Sequence, residues 1–252
     1  MTTYTTAITR NISPNYRKCI SSHPLHNELN INKAIKQQEN YKKVLRDLSL
    51  EIIEIEADKN LPDCCFIEDT AIIHNNKALL TRSRMKSRRD EITEVKTVLK
   101  EFFQVTSVTD PGTIEGGDVV HIHDQLISGL SQRTNHVGIK QAEKWFDTDI
   151  KFIPDPSIVH LKSYISQLDF NTILCTKRYA NHPALREFKK IIIPESEIYA
   201  ANVLEVNERI IIPSGFEKTR FLLNENGYEI IELNTSEFQK CEGALTCLSL
   251  LF

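Results

Sequence analysis

The chain has 252 residues, of which 40% are hydrophobic and 26% are charged, as in ordinary globular proteins. Its formal net charge of -3 gives no general reason to bind a polyanion, so nucleic acid is disfavoured as a partner. No eighteen uncharged apolar residues run consecutively, and no basic segment followed by an apolar one opens the sequence. We therefore expect a cytoplasmic protein without a membrane partner.

The six cysteines are scattered and form no C-x-x-C motif. They are Cys19, Cys64, Cys65, Cys175, Cys241 and Cys247. The adjacent pair is too close in sequence for an ordinary bridge. Because disulfides are typical of oxidising compartments, we predict reduced thiols.

The first third of the chain predicts a helix, a strand and a hairpin. Apolar residues recur near helical spacing from about 30 to 49, which indicates an amphipathic helix. The alternating run EIIEIEA at 51–57 predicts a strand. The runs CFIEDTAII and KALLTR flank the turn signal Asn75-Asn76 and predict an antiparallel hairpin.

The same order of elements recurs along the chain. A helix at about 87–102 and the strand FQVTSV precede the hairpin of DVVHIH and QLISGL, which leads to a helix in RTNHVGIKQAEKWF and the strand DIKFIP. HLKSYISQL and NTILCTK pair before a short helix at about 183–190 and the strand KIIIP. NVLEV and RIIIP pair before a helix near 216–226 and the strand YEIIELN.

Two strands, TTAITR and LSLLF, have no local partner and complete a fifth unit if they meet. Five units in 252 residues give about 50 residues each, a period typical of repeat or propeller architectures. A mixed α/β sandwich is the alternative. No Pro/Gly/Ser-rich linker divides the chain, so we predict one domain over residues 1–252.

Cys247 is a candidate nucleophile because the small, polar stretch GALT gives way there to the last apolar strand, which would place the thiol at a strand edge. A buried structural cysteine is the more common fate of this residue type. His160 begins a predicted strand and could exchange protons. Glu115 precedes two glycines, which allow a sharp turn or a close approach, and its carboxylate could hold an imidazole in one tautomer. A structural histidine and an ordinary glycine turn are the alternatives.

An acidic set lies in LPDCCFIEDTAII and consists of Asp63, Glu68 and Asp69. Glu68 and Asp69 interrupt an otherwise apolar predicted strand, and buried carboxylates are unfavourable unless a cation or hydrogen-bond donors compensate them. A substrate guanidinium fits carboxylates bidentately. Internal salt bridges to Arg82 or Arg84 are the alternative.

Basic residues cluster in TRSRMKSRRDE, and Arg133 lies in SQRTN. Such a cluster is ordinarily a solvated helix N-terminus or a weak phosphate site, whereas Arg88 and Arg133 could instead converge on one carboxylate. His121 and His123 share a strand face, but no further Cys or His lies at metal-ligand spacing, so we predict no zinc site. Phosphate-loop and dinucleotide-binding motifs are absent from the sequence.

The chain resembles the dimethylarginine dimethylaminohydrolase family in seven motifs, in the same order and at comparable spacings. They are LPDCCFIEDTAII, TRSRMKSRR, TIEGGDVV, GLSQRTN, HLKSY, AANVLEVNERIIIP and EGALTCLSL. The likeness runs from about Ile8 to Phe252 and is closest to the compact bacterial type. It implies an α/β fold of the pentein type, a five-bladed pseudo-symmetric ββαβ propeller with the active site in its central channel.

The resemblance also implies a role for each candidate residue. Cys247 would be the nucleophile, His160 the general acid and base, and Glu115 the residue that hydrogen-bonds the imidazole. Asp63 and Asp69 would hold the guanidinium with Glu68 beside them, and Arg88 and Arg133 would fix the amino-acid end. Ile20 matches a lid position that is commonly leucine, and Cys241 matches a pocket position that is usually aliphatic.

The implied reaction is hydrolysis of Nω-methylated arginine to citrulline and an alkylamine through a covalent thiouronium on Cys247, with no metal or organic cofactor. The substrate is a small molecule, and a homodimer is the commonest closed assembly. Arginine deiminase is the nearest alternative, but it typically carries an inserted helical domain that 252 residues leave no room for. Agmatine deiminase would not need two arginines for a carboxylate, and a ribosome-binding factor of this fold would need no reactive thiol.

Overall fold

Five three-stranded sheets build the protein, for which a computed structural model describes residues 3–252. In each sheet the middle strand pairs antiparallel with one neighbour and parallel with the other. Four sheets follow the chain in order: β3 (Ala71–His74), β4 (Lys77–Leu80) and β5 (Gln104–Ser107); β6 (Val119–Ile122), β7 (Gln125–Leu130) and β8 (Ile150–Pro154); β9 (Ile165–Gln167), β10 (Thr172–Cys175) and β11 (Lys189–Ile192); β12 (Leu204–Val206), β13 (Arg209–Pro213) and β14 (Glu229–Leu233). The repeat predicted from sequence is therefore confirmed, and the fold is the predicted α/β pseudo-symmetric propeller.

The fifth sheet joins distant parts of the chain. It consists of β1 (Thr6–Arg10), β2 (Glu51–Ile55) and β15 (Leu250–Leu251). β1 pairs antiparallel with β15, with Ala7 opposite Leu251, and parallel with β2. The two strands that lacked a local partner therefore complete the fifth unit, as predicted.

Helices connect the middle strand of four sheets to the parallel strand: α1 (Ile31–Asp47), α2 (Ile92–Leu99), α3 (His136–Phe146) and α4 (Glu217–Glu225). A short α5 (Ser236–Gln239) lies outside this pattern. In α3 the side chain of Asn135 caps the helix by accepting the Gly138 N–H at 2.8 Å, and Ile139, Ala142 and Phe146 form the buried face. Each fully buried large apolar side chain contributes about 1.5–3 kcal/mol, so this face fixes the helix on its sheet.

The helix predicted at about 183–190 is wrong, because only the 3-10 turn Pro183–Leu185 forms there. The stretch has room for little more than one turn before β11 starts at Lys189, and a helix that nucleates cannot propagate over so few residues. The predicted helix at 87–102 is likewise shorter, since residues Lys86–Glu91 form a 3-10 helix before α2 begins.

Five 3-10 helices, each directly before or a few residues before the first strand of an antiparallel pair, form what we call the ring turns. They are Ile67–Thr70, Gly116–Asp118, Leu161–Ser163, Glu195–Ala201 and Thr246–Leu248. Each of the first three ring turns contacts the next one along the chain, and the fifth contacts the first. Hydrogen bonds of 3.0 and 3.1 Å between Asn202, directly after the fourth ring turn, and Thr246 in the fifth connect these two ring turns.

The ring turns correct three sequence predictions. Glu68 and Asp69 do not interrupt a strand but lie in a ring turn, and Cys247 lies in another rather than at a strand edge. His160 directly precedes a third ring turn instead of starting a strand.

Among residues 3–252 no helix is both long and apolar enough to cross a membrane.

Candidate active site

A hydrogen bond of 2.7 Å joins Nε2 of His160 to Oε2 of Glu115. Glu115 is fully buried, and the hydroxyl of Ser83 donates to its other carboxylate oxygen. Each residue immediately precedes a ring turn in extended backbone, which brings together groups 45 positions apart. The predicted pairing of imidazole and carboxylate is present.

The two glycines after Glu115 serve close approach. A Cβ on Gly116 would lie 2.0 Å from the backbone oxygen of Glu68, and one on Gly117 would lie 2.8 Å from both Nδ1 of His160 and Oδ1 of Asp69. Because real Cβ atoms do not approach other atoms so closely, neither position accepts a side chain without displacing the site. The GG motif therefore lets the ring turns pack against each other.

Asp69 lies between two cations. Its Oδ2 accepts from Nη1 of Arg88 at 2.8 Å, and its Oδ1 accepts from the Gly117 N–H at 3.1 Å and lies 3.6 Å from Nε2 of His160. Burial raises the pKa of Asp69, but His160 and Arg88 outweigh burial and lower it to about 2. Asp69 is consequently ionised.

The imidazole of His160 is charged in the resting protein. Burial lowers the pKa of His160, while the charge of Asp69 and the hydrogen bond and charge of Glu115 raise it to about 9. Near neutral pH the ring therefore carries both protons and is ready to act as an acid.

Glu68 is compensated by Lys162 and Thr246. Nζ of Lys162 lies 2.5 Å from Oε1, and the hydroxyl of Thr246 donates to Oε2 at 2.7 Å. Burial raises the pKa of Glu68, and the charge of Lys162 opposes this shift. The salt-bridge partners are therefore Lys162 for Glu68 and Arg88 for Asp69, and not Arg82 or Arg84, which the sequence suggested as alternatives.

Cys247 holds its thiol in the neutral form. It is half-buried in its ring turn, next to Thr246, and burial raises its pKa, with further increases from the charges of Glu68 and Asp69. A thiol with a raised pKa is a poor nucleophile until a cation arrives. Cys247 and His160 both respond to the charge of Asp69, which lies near both groups.

Asp63 forms no salt bridge with another residue among residues 3–252. Its Oδ1 accepts the backbone N–H of Ile20 at 3.0 Å. Burial raises its pKa, and the more distant charges of Arg88 and Arg133 lower it. Asp63 therefore has carboxylate capacity left for a ligand.

The two predicted carboxylate-binding arginines differ in their contacts. Arg88 is buried and fully engaged, since it bonds Asp69 and makes hydrogen bonds of 2.8 to 3.2 Å to the carboxylate of Glu91. Arg133 has its Nη1 atom buried with no acceptor within the described residues. Arg133 thus has an unused donor, while Arg88 in this structure organises the acidic residues.

The prediction that all cysteines are reduced is wrong for Cys19 and Cys241, which form a disulfide with Cα atoms 6.0 Å apart. The two positions are 222 residues apart in sequence, so local spacing gave no sign of the bridge. The other four cysteines are free. Cys241 was predicted as a pocket residue, and its sulfur is instead bonded and almost completely buried.

Several supporting residues were missed from sequence. Lys162 and Thr246 lie within quoted motifs, and the signal was the acidic Glu68, which needs a cation when buried. Asp118, which follows the two glycines, accepts the Leu161 N–H at 3.0 Å and hydroxyl hydrogen bonds from Ser131 and Thr134 at 2.6 Å. It fixes the turn that carries His160.

Two groups among residues 3–252 have ligand atoms close enough to surround a metal ion: Cys19, His26 and Cys241, and Asp69, Glu115 and His160. In the first group the sulfurs are bonded to each other, and in the second the carboxylates bind the imidazole and Arg88. A cofactor-free site stays a prediction.

Comparison with known proteins identifies clear relatives. The profile of the family described as "N,N dimethylarginine dimethylhydrolase, eukaryotic" matches residues 11–176. The N(G),N(G)-dimethylarginine dimethylaminohydrolase of Pseudomonas aeruginosa is 33% identical over 225 residues, which cover 87% of this chain and 89% of that protein.

Solved structures agree with the sequence match. A Pseudomonas aeruginosa structure of the same enzyme, a cysteine-to-serine mutant complexed with citrulline, has a TM-score of 0.96 and 30% identity and covers 100% of both chains. A dimethylarginine dimethylaminohydrolase captured as an adduct with S-methyl-L-thiocitrulline has a TM-score of 0.95 and 30% identity and covers 99% of this chain and 100% of that one.

Proposed function

This chain belongs to the dimethylarginine dimethylaminohydrolase family, and from that premise we propose that it hydrolyses Nω-methylated arginine to citrulline and dimethylamine or methylamine. One observation carries the proposal for this site. Beside the Glu115–His160 hydrogen bond, Asp63 lacks a cation and Arg133 has a donor without an acceptor, within residues 3–252. A substrate with a guanidinium at one end and a carboxylate at the other satisfies both.

Asp63 and Asp69 would hold the guanidinium, with Glu68 beside them. A carboxylate and a cation about 4 Å apart attract by roughly 4 kcal/mol at an effective dielectric near 20, before desolvation. The guanidinium spreads its positive charge over three nitrogens and is a poor electrophile, so the site must hold its carbon in position for attack by the nucleophile. Arg133, and Arg88 if its present ion pairs rearrange, would hold the substrate carboxylate.

The bound cation would generate the nucleophile. In the free protein burial and the charges of Glu68 and Asp69 hold the pKa of Cys247 well above its usual range. A guanidinium beside those carboxylates offsets their charge and favours the thiolate, by up to about three pKa units if the attraction is near 4 kcal/mol. Since His160 is already protonated, the thiol proton leaves to solvent.

His160 would then serve both halves of the reaction. The sulfur of Cys247 attacks the guanidinium carbon, and the imidazolium protonates the departing amine, which leaves a covalent thiouronium. The neutral imidazole next takes a proton from a water molecule that attacks the same carbon, and citrulline and the thiol are released. Glu115 keeps the ring oriented through its 2.7 Å hydrogen bond.

The substitution Cys247→Ser tests the nucleophile. We expect turnover to fall by several orders of magnitude while binding of dimethylarginine, measured by calorimetry, is retained. Cys175→Ser is the matched control, because Cys175 is also a free thiol but lies in β10. A Cys247→Ser protein that turns over at the wild-type rate refutes the assignment.

A substrate panel tests the reaction itself. Dimethylarginine, monomethylarginine and arginine are compared by detecting citrulline together with dimethylamine, methylamine or ammonia. We expect the methylated substrates to have the higher kcat/KM, although one methyl group is worth only about 1–3 kcal/mol. Ammonia release from arginine as the dominant activity would identify an arginine deiminase-type hydrolase instead.

We further propose that residues 1–252 act as a single catalytic domain in the cytoplasm, and that two copies form a homodimer. Sedimentation of the purified protein tests the dimer, and localisation of a tagged chain tests the compartment. No metal or organic cofactor is needed for the steps above, so we expect chelators to leave activity unchanged.

A further inference from the structure

Residues 19–28, which we call the cover segment, are attached to residues 240–242 by more than the disulfide. The hydroxyl of Ser21 donates to the backbone oxygen of Lys240 at 2.8 Å, and that of Ser22 donates to Glu242 at 2.6 Å. Nζ of Lys240 donates back to the oxygen of Glu28 at 3.0 Å. The Cys19–Cys241 bond is the one covalent link in this attachment.

This attachment positions a residue of the active site. Ile20 directly follows Cys19, and its N–H is the hydrogen-bond donor to Asp63. Cys241 lies in the same short segment as Cys247, six positions before it. A displacement of Cys19 from Cys241 therefore loosens the donor that orients the unpaired carboxylate.

We propose that Cys19 and Cys241 are a reversible thiol–disulfide site that sets the affinity of the active site for its substrate. A dithiol compound would reduce the Cys19–Cys241 bond, and a disulfide compound would reoxidise the two thiols. The inference rests on the proposed function for the identity of the substrate, although cycling of the two sulfurs does not depend on it. When the disulfide is formed, Ile20 and Asp63 are held in the arrangement that binds substrate. When it is reduced, the cover segment must become ordered on binding, and this entropic cost lowers the affinity for substrate.

The chemistry balances as thiol–disulfide exchange. A thiolate of the dithiol attacks the sulfur of Cys241, the S–S bond breaks, and Cys19 leaves as a thiolate. The second thiol of the reductant then attacks the mixed disulfide and releases Cys241. The protein gains two electrons and two protons, and the dithiol becomes a disulfide. Nδ1 of His26 lies 3.7 Å from the sulfur of Cys19, and an N–H at this atom would stabilise that leaving thiolate by a hydrogen bond.

Access to the bond is linked to ligand binding. Cys19 is 5% exposed and Cys241 is 3% exposed, so a dithiol reaches them only when the cover segment lifts. Lifting also removes Ile20 from Asp63. A ligand that prefers the closed arrangement therefore slows reduction, and by reciprocity the closed bond strengthens ligand binding.

The first test compares oxidised and dithiol-reduced wild-type protein with dimethylarginine as substrate. We expect KM to rise about fivefold on reduction, with kcat within about twofold, because ordering of the cover segment affects binding more than chemistry. The variant Cys19→Ser should have the high KM in both conditions, while Cys175→Ser should respond like the wild type. Equal KM values for the two wild-type states overturn the inference.

The second test follows reduction itself, as the mass added by alkylation of the new thiols. Excess citrulline should slow the appearance of alkylated Cys19 and Cys241 several-fold. A rate that citrulline does not change, in a protein shown to bind citrulline, sinks the proposed linkage. If no methylated arginine is turned over but Cys19 and Cys241 still cycle between disulfide and thiols, the proposed function fails and the redox site stands. If methylated arginine is turned over with a KM that reduction does not change, the proposed function stands and the redox site fails.

Discussion

Replacing Glu115 by glutamine removes one negative charge from His160 and keeps a side chain of nearly the same shape. Burial lowers the pKa of His160, and Asp69 and Glu115 together raise it to about 9. A charge-assisted hydrogen bond such as the 2.7 Å contact is worth about 1.5–3 kcal/mol, or roughly one to two pKa units. We therefore expect the pKa of His160 in Glu115→Gln to fall to roughly 7–8.

This shift has a defined effect on the pH profile. In the proposed mechanism the imidazolium protonates the departing amine, so kcat/KM should fall once His160 of the free protein loses its proton. We expect the alkaline limb of kcat/KM, which reports the free protein, to move from near pH 9 in the wild type to roughly pH 7–8 in Glu115→Gln, measured by citrulline formation between pH 6 and 10. Titration of the His160 ring by NMR in a Cys247→Ser background reports the same pKa without turnover. An alkaline limb and a ring pKa that do not move would refute the electrostatic reasoning.

The same shift appears in stability. A histidine whose pKa is raised on folding stabilises the protein fully below its unfolded pKa of about 6.5, and this contribution is lost as pH rises through about 9. The window corresponds to about 3 kcal/mol of unfolding free energy in the wild type. Denaturant unfolding at several pH values should show that the unfolding free energy of Glu115→Gln declines with rising pH by roughly 1–3 kcal/mol less than that of the wild type.

Three further substitutions test separate contacts. Gly117→Ala puts a Cβ 2.8 Å from the His160 ring and should lower kcat roughly ten- to a hundredfold, while circular dichroism shows a folded chain. Lys162→Met leaves the carboxylate of Glu68 without its cation and should cost about 3 kcal/mol in denaturant unfolding; adding Glu68→Gln should restore most of it, and no rescue would contradict the pairing. Arg133→Met should raise KM for methylarginine about tenfold or more but leave KM for methylated agmatine, which lacks the carboxylate, unchanged; an equal effect on both would remove Arg133 from carboxylate binding.

The repeating sheets could be predicted because their signals are local. The hairpin β3–β4 follows from two apolar runs around Asn75-Asn76, and helix α3 follows from the helical pattern of RTNHVGIKQAEKWF. Pairing of β1 with β15 could be predicted only because each strand otherwise lacked a partner. The stretch at 183–190 misled because its composition suits a helix that its length does not allow.

The geometry of the site was harder to predict because it depends on contacts across the ring turns. A sequence run such as CFIEDTAII resembles one long strand, whereas its acidic residues form a 3-10 turn that packs on Gly116. The partner of Glu68 is 94 positions away, and the partner of Cys19 is 222 away. No local pattern specifies such pairs, so their residue types were visible and their partners were not.

Because β15 pairs with β1 at the far end of the chain, we expect the candidate active site to form late in folding. Thr246 and Glu68, which are 178 positions apart, meet only when the first and last units dock, and contacts of such long range form slowly. A nascent or partly denatured chain therefore contains every reactive group but no assembled site. Its activity should return with the slowest refolding phase, and recovery of citrulline production is thus a direct clock for completion of the ring.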